Sequence, residues 1–266
     1  MFKYLIHNIH RMNNNNNLLV FDLGNTLYPS SLQFQAMRKV MRLHGLGDIN
    51  YRELYDYFKN ILPFVGGALD LSFVSAVLRK INPIPEVDAI TILTDYRQSL
   101  YDLIKQYILT DPNGTWKYLR DMSDDHHLGI LSDNNIETKE LWLEVLKETD
   151  NDIFDFFIVS EEVGVSKPNL RMFFEIKKQL DPAIRFDEIY YFGDNLIRDG
   201  VSAFYGMIFV HVNGFVTPTI QKRQPYRPDK TLISIDFVNH DSLLSLQYSN
   251  DSITNSEIIP VKSSYV

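Results

Sequence analysis

The sequence predicts an α/β fold: a Rossmann-like open parallel sheet, interrupted after its first strand by an inserted all-helical subdomain. Three observations carry this. Four short runs, 18–22 (LLVFD), 127–132 (HLGILS), 188–193 (EIYYFG) and 207–212 (MIFVHV), have the length and near-continuous apolarity of strands buried on both faces. Helical-period sequence separates each run from the next, as expected of parallel strands joined by crossovers. Roughly a hundred residues stand between the first two runs, far more than one crossover needs.

Taken in chain order, residues 1–17 (MFKYLIHNIHRMNNNNN) place Phe2, Leu5, Ile6, Ile9 and Met12 at helical spacing with Lys3 and Arg11, then run into asparagine. Their apolar core is too short for a secretory signal, and a disordered Asn-rich leader is expected, with Met12 as an alternative start. Strand 18–22 ends in Asp22. Residues 28–115 read as helices almost throughout. In 86–109, for example, Ile90, Leu93, Tyr96, Leu100, Leu103, Ile104 and Tyr107 recur at intervals of three and four. The single membrane-length apolar stretch, 61–78, is broken by Pro63, Gly66, Gly67 and Asp70, so it reads as buried helix and turn in a soluble protein. Tyr51, Tyr55, Tyr57 and Phe58 fall on a predicted helix of this insertion, where core packing is the expectation and pocket lining the alternative. The α/β core comprises 18–27 and 116–247. A weaker fifth run, 231–235 (TLISI), precedes a possible helix through Leu243, Leu244 and Leu246, and the polar, patternless tail 248–266 is expected to be loosely ordered.

At 266 residues, 45% apolar and 23% charged, the chain can bury one large core or a core with an insertion. Its net charge of −8, without a basic stripe, lacks the footprint of a protein that binds a nucleic-acid polymer, although a nucleotide remains possible as a small substrate. Cysteine is absent, which excludes disulfides, thiolate metal sites and a cysteine nucleophile. A cytoplasmic location and no membrane partner are expected.

Ligands of an open parallel sheet bind outside the carboxyl ends of its strands. Polar residues cluster there. The first strand ends in Asp22, the second in Ser132 with Asp133 and Asn134, and 188–193 leads into Gly193, Asp194 and Asp199; SEEVGVSKP places Lys167 in a loop before Pro168 and Asn169 at a helix start. Singly, each has a plain reading: Asp22 before Asn-Thr caps a turn, Ser132 caps a helix, Lys167 is a solvated surface residue. The information lies in the ordered set, whose members all fall at one edge of the same sheet. His126 and His127 precede their strand at its other end and read as turn residues.

This set resembles the haloacid dehalogenase superfamily, whose phosphatases carry hhhDxDxT, then hhhS/T, then a lysine, then GDxxxD or GDxxxxD. The resemblance runs from about residue 18 to 247 and is carried by FDLGNTL, GILSDN, VSEEVGVSKP and YYFGDNLIRDG. Residues 28–115 are similar to the helical cap of the subfamily in which the cap follows strand one, and NTLYPSS (25–31) is similar to the pyrimidine 5′-nucleotidase branch. The resemblance implies that Asp22 attacks phosphorus and becomes an aspartyl-phosphate. It implies a Mg²⁺ held by Asp22, Asp194 and the backbone carbonyl of Gly24. Lys167 and Ser132, with backbone N–H groups near Asp133 and Asn134, would bind phosphoryl oxygens, and Asp199 would order a metal-bound water or the Lys167 amine. The implied substrate is a small phosphomonoester, a nucleotide or a sugar phosphate.

One position departs from the pattern. Gly24 stands where most of these phosphatases have a second aspartate, the general acid and base, whose loss is commonly worth about 10² to 10⁴ in rate. The expectation is a slow hydrolase, or one that recruits water, substrate or a cap residue. Glycine could also stand there because its backbone conformation is closed to aspartate. Two other readings remain at this point: carbon–halogen hydrolysis, which also lacks the second aspartate but does not need Asp194, and a phosphate-binding or scaffolding protein without turnover.

Overall fold

The computed structural model describes residues 18–46, 89–179 and 184–212, the backbone of 231–235, and single positions between 69 and 77. The leader 1–17, the tail 248–266, Tyr51, Tyr55, Tyr57, Phe58, most of 61–78 and the helix through Leu243 to Leu246 lie outside the described residues.

Six strands form one parallel sheet: β1 (Leu18–Phe21), β2 (His127–Ser132), β3 (Phe156–Val159), β4 (Ile189–Gly193), β5 (Ile208–Val212) and β6 (Thr231–Ile235), in the order β3-β2-β1-β4-β5-β6. The chain winds outward from β1 through β2 to β3, then jumps to β4 on the other side of β1. The strand order therefore reverses between β1 and β4, and the crevice at their carboxyl ends is the ligand-binding place of such a sheet. Both strands are buried along their whole length, as their unbroken apolarity requires. Leu19 and Phe21 pack into one layer, Leu18 and Val20 into the other, and Phe21 stacks on Phe192 of β4 with centroids 4.6 Å apart.

The sequence reading has no strand at 156–159. β3 is only four residues long (FFIV) and ends the described sheet on that side, so it offers little periodicity to read. Its seat is prepared by Gly129 of β2, which pairs with Phe156; a Cβ at Gly129 would overlap the Phe156 ring.

The α-helices whose bounds are described are α1 (Ser31–Leu43), α2 (Ala89–Thr110), α3 (Thr115–Ser123), α4 (Ile136–Glu148), the short α5 (Ser160–Val163) and α6 (Leu170–Gln179). The predicted helix 86–109 is α2, but its buried stripe runs Ile92, Tyr96, Leu100, Ile104 and Ile108, and Ile90 is exposed. The buried residues, Ser99 and Tyr101 among them, spread over about half of the helix circumference, and Ile90 shares the azimuth of Ile108; it is exposed as the second residue of α2, not because it faces the other way. α1 packs on α2, and α2 packs on α4, where Arg97 and Lys105 pair with Glu144 (2.8 Å) and Glu148 (2.6 Å). Tyr28, Met37, Tyr96, Trp116 and Trp142 belong to the same buried cluster as Leu19 and Phe21, so α1 and α2 are continuous with the core on that face of the sheet. No described helix is long and apolar enough to cross a membrane.

Candidate active site

Register brings the first two acids together. Phe21 pairs with Phe192, and the backbone N–H of Asp22 still donates to the Phe192 carbonyl at 2.7 Å. Asp22 thus leaves β1 beside the point where Asp194 leaves β4. Asp199 returns to the same spot through a turn: its N–H donates to the Asn195 carbonyl (2.8 Å) and its Oδ2 accepts from the Asn195 N–H (3.0 Å). Gly193 permits that approach, since a Cβ there would lie 2.5 Å from the Asp199 Cβ and Cγ. One carboxylate oxygen from each of Asp22, Asp194 and Asp199 lies within 4.8 Å of the others.

Lys167 enters from the loop after α5. Its buried ammonium donates to Asp22 Oδ1 (2.6 Å), Asp199 Oδ1 (2.5 Å) and the Tyr191 hydroxyl (3.0 Å). Its backbone N–H donates to Asp133 Oδ1 at 2.8 Å, and Asp133 also pairs with Arg198. Asp133 therefore clamps the Lys167 loop to the end of β2. Ser132 is buried and accepts from the Asn134 side chain (2.9 Å), and the Asn134 carbonyl accepts from Ser160 (3.1 Å). The cap of α4 is Asn135, which accepts from the Thr138 N–H (3.0 Å) and donates to the Leu69 carbonyl (2.9 Å); the plain reading of Ser132 as a helix cap is thereby corrected. Asn169 does stand at a helix start, its side chain accepting from the Arg171 N–H at 3.0 Å.

Three carboxylates cluster around one ammonium, so two negative charges would stand uncompensated if all three ionised. Burial pushes the Asp22 carboxyl up to about 6, against the pull of Lys167 and with the help of Asp199. Burial also holds Asp194 well above the ordinary carboxylate range, and Asp22 and Asp199 add to it. For Lys167, burial works against the charged form, but Asp199, Asp22 and Tyr191 outweigh it and keep the amine protonated. A divalent cation that takes hard oxygen ligands would cancel the excess charge, so this donor set fits Mg²⁺. Asp199 is engaged through both oxygens, with Lys167 and with Asn195, so Asp22 and Asp194 are the carboxylates that would hold the ion.

Gly24 is half-buried and bridges to Tyr28. Its φ lies outside the left-handed region, and an added Cβ would meet nothing within 4 Å. The expectation that its conformation excludes aspartate is therefore overturned. The left-handed residue is its neighbour Asn25 (φ 58°), whose Oδ1 accepts from the Ser30 N–H (3.1 Å) and hydroxyl (2.8 Å) and whose Nδ2 donates to Asp194 Oδ2 at 3.4 Å.

Asp22, Lys167, Asp194 and Asp199 are thus brought into one cluster, with Ser132, Asp133 and Asn134 in the adjoining loop. His126 and His127 sit at the opposite end of β2. Sequence reasoning missed Asn25 and Tyr191. The first has a signal, since asparagine tolerates positive φ. The second has a weaker one: a tyrosine in a buried strand needs a partner for its hydroxyl.

A family profile for haloacid dehalogenase-like hydrolases matches residues 17–203. The chain is 30% identical over 188 residues to a glyceraldehyde 3-phosphate phosphatase of Methanopyrus kandleri, covering 68% of this chain and 76% of that protein. It is 29% identical over 189 residues to the protein of the same name in Methanocaldococcus jannaschii, covering 68% and 77%. Among solved structures, its fold resembles the HAD-hydrolase YfnB of Bacillus subtilis (TM-score 0.57, 16% identity, 83% of this chain and 94% of that one). It also resembles CbbY of Rhodobacter sphaeroides (TM-score 0.54, 13% identity, 84% and 95%). By the matched profile and the relatives that share its sequence, the chain belongs to the haloacid dehalogenase-like hydrolases.

Proposed function

We propose that the protein is a Mg²⁺-dependent phosphomonoesterase that acts on a small phosphorylated metabolite of the sugar-phosphate class through an aspartyl-phosphate on Asp22. The observation that carries this reading is the contact of Lys167 with both Asp22 and Asp199, at the strand-order reversal, beside Asp194. The Asp22 carboxylate attacks phosphorus as the bond from phosphorus to the ester oxygen breaks. Ser132 faces the phosphoryl oxygens, where charge is carried, and the Lys167 ammonium beside Asp22 offsets that charge. A water then attacks the same phosphorus, releasing orthophosphate and restoring Asp22. Asp22, Asp194 and the Gly24 carbonyl would hold Mg²⁺, which supplies positive charge against the repulsion between carboxylate and phosphoryl group. Because Gly24 brings no carboxylate, the leaving oxygen takes its proton from water, and the second step is the slow one.

The sugar-phosphate class is supported by the names of the curated relatives, both glyceraldehyde 3-phosphate phosphatases. The pyrimidine nucleotide reading rests on NTLYPSS alone. The half-buried Asp194 favours phosphatase over dehalogenase chemistry, which has no use for it. Residues 28–115 would act as a cap that excludes water and selects the substrate.

The test is phosphate release from a panel of triose, pentose and hexose phosphates, pyrimidine nucleoside monophosphates and p-nitrophenyl phosphate, with Mg²⁺ and with EDTA. Wild type should turn over a sugar phosphate best, lose activity in EDTA and regain it with Mg²⁺. Asp22→Asn should fold normally and be inactive. Near-wild-type activity in that variant would refute the covalent mechanism, and turnover of haloacids in EDTA would favour the dehalogenase reading.

A further inference from the structure

We infer that Tyr191 is a positioning residue that fixes the rotation of the Lys167 ammonium and so aims one of its N–H groups at Asp22. The inference rests on the phosphatase reading above, which makes Asp22 the nucleophile. An ammonium has three donors and no acceptor, and the buried amine of Lys167 has three acceptors: Asp22 Oδ1 at 2.6 Å, Asp199 Oδ1 at 2.5 Å and the Tyr191 hydroxyl at 3.0 Å. Two of these are carboxylates. The third is a phenol that comes from the middle of β4.

The hydroxyl accepts from Lys167, so its own hydrogen is free to donate, and it has two acceptors in reach: Asp199 Oδ1 at 3.2 Å and the Leu131 carbonyl at 3.3 Å. Leu131 immediately precedes Ser132. Tyr191 therefore ties the amine to the strand that carries the adjoining loop. Burial and the nearby Asp199 hold the phenol well above its ordinary pKa, which keeps that hydrogen in place.

The ring is held in turn. Phe173 of α6 meets it edge-on with centroids 5.4 Å apart, and Phe173 also contacts Tyr205 at 5.4 Å. The Tyr205 hydroxyl donates to the Pro168 carbonyl at 3.0 Å. One train of aromatics thus braces the Lys167 loop at its amine and at its backbone. A phenylalanine would fill the same apolar volume, so packing alone gives no reason for the hydroxyl, whose burial is unfavourable without partners.

The test is Tyr191→Phe in the full chain, assayed with p-nitrophenyl phosphate and Mg²⁺ well below its melting temperature. Loss of the third acceptor should lower kcat about tenfold with KM changed less than about twofold. Because Tyr191 and Asp199 act through the same amine, the Tyr191→Phe and Asp199→Asn double variant should lose less than the product of the two single losses. Tyr205→Phe, which removes only a hydroxyl bonded to the Pro168 carbonyl, should change melting temperature more than kcat. An unchanged kcat in folded Tyr191→Phe, or losses that multiply fully with Asp199→Asn, would overturn the inference. As a check independent of folding in the variant, ¹⁵N NMR of wild type should show a solvent-protected Lys167 ammonium signal; an unprotected one would also overturn it. Activity surviving in Asp22→Asn would instead sink the parent reading.

Discussion

The Lys167 ammonium lies 2.6 Å from Asp22 Oδ1, although 145 residues separate the two in sequence. Both side chains are buried, and the pair is stable only in company. Asp199 takes a second N–H, Tyr191 a third, and Asp133 holds the Lys167 backbone. Breaking a buried pair by removing one partner is costly, because it strands the other charge away from water.

Lys167→Met should therefore reduce both stability and turnover. It leaves Asp22 and Asp199 without their cation, and a loss of about 3–5 kcal/mol is the typical outcome for a buried pair. Turnover should fall by at least about 10²-fold. Lys167→Arg should not restore it, since a planar guanidinium cannot present three N–H groups to three converging acceptors. Thermal melts and steady-state assays on both variants check this, and near-wild-type activity in Lys167→Arg would contradict it.

Gly24→Asp should fold normally, since neither space nor backbone conformation opposes a side chain there. If the new carboxylate reaches the leaving group, steady-state turnover should rise by up to about 10²-fold. The wild type should show a burst with p-nitrophenyl phosphate, because dephosphorylation is the step left without a base, and the burst should shrink in the variant. No burst in wild type together with a slower, folded variant would mean that another residue already supplies the acid and base.

The pH dependence follows from Asp22. Its carboxyl titrates at about 6 in the folded protein against 3.8 in an ordinary setting. Between these values the folded state holds a proton that the unfolded state has released, so this group's contribution to stability is lost as pH rises through that window. Asparagine has no such proton. In EDTA, the melting temperature of Asp22→Asn should therefore gain on that of wild type, by several degrees, between about pH 4 and about pH 7. A difference that is flat or shrinks with pH would show that the carboxyl is ionised throughout.

Residues 28–115 should respond to ligand as a cap. With Mg²⁺ and fluoroberyllate bound, hydrogen exchange across this segment should slow relative to the free protein, most at the end nearest Asn25 and Ser30, whose side chains link the start of α1 to Asp194. Unchanged exchange would mean a fixed lid or a different division of the chain.

What the sequence determined by itself is the parallel sheet and the position of its reactive edge. Runs such as LLVFD and EIYYFG are apolar because both sheet faces are covered, and the acids stop them where the chain meets water; both signals are local and legible. Asp22 and Asp194 could be named on that basis, and Lys167 and Asp199 from the ordered set of motifs that resembles the family; the structure brings the four together. Tertiary structure alone decided the rest. β3 is too short to show a period and is seated by the space that Gly129 leaves for Phe156. Ile90 fits the helical spacing and shares the azimuth of the buried Ile108, yet is exposed at the start of α2. The side chain of Asp133 holds Lys167 and Arg198, a role the sequence does not show. Tyr191 reads as one more apolar residue of a strand until the Lys167 amine, 24 residues upstream, arrives at its hydroxyl. Periodicity reports whether a residue is buried; which buried polar groups become partners is settled by strand order and register, which bring distant parts of the chain within hydrogen-bond reach.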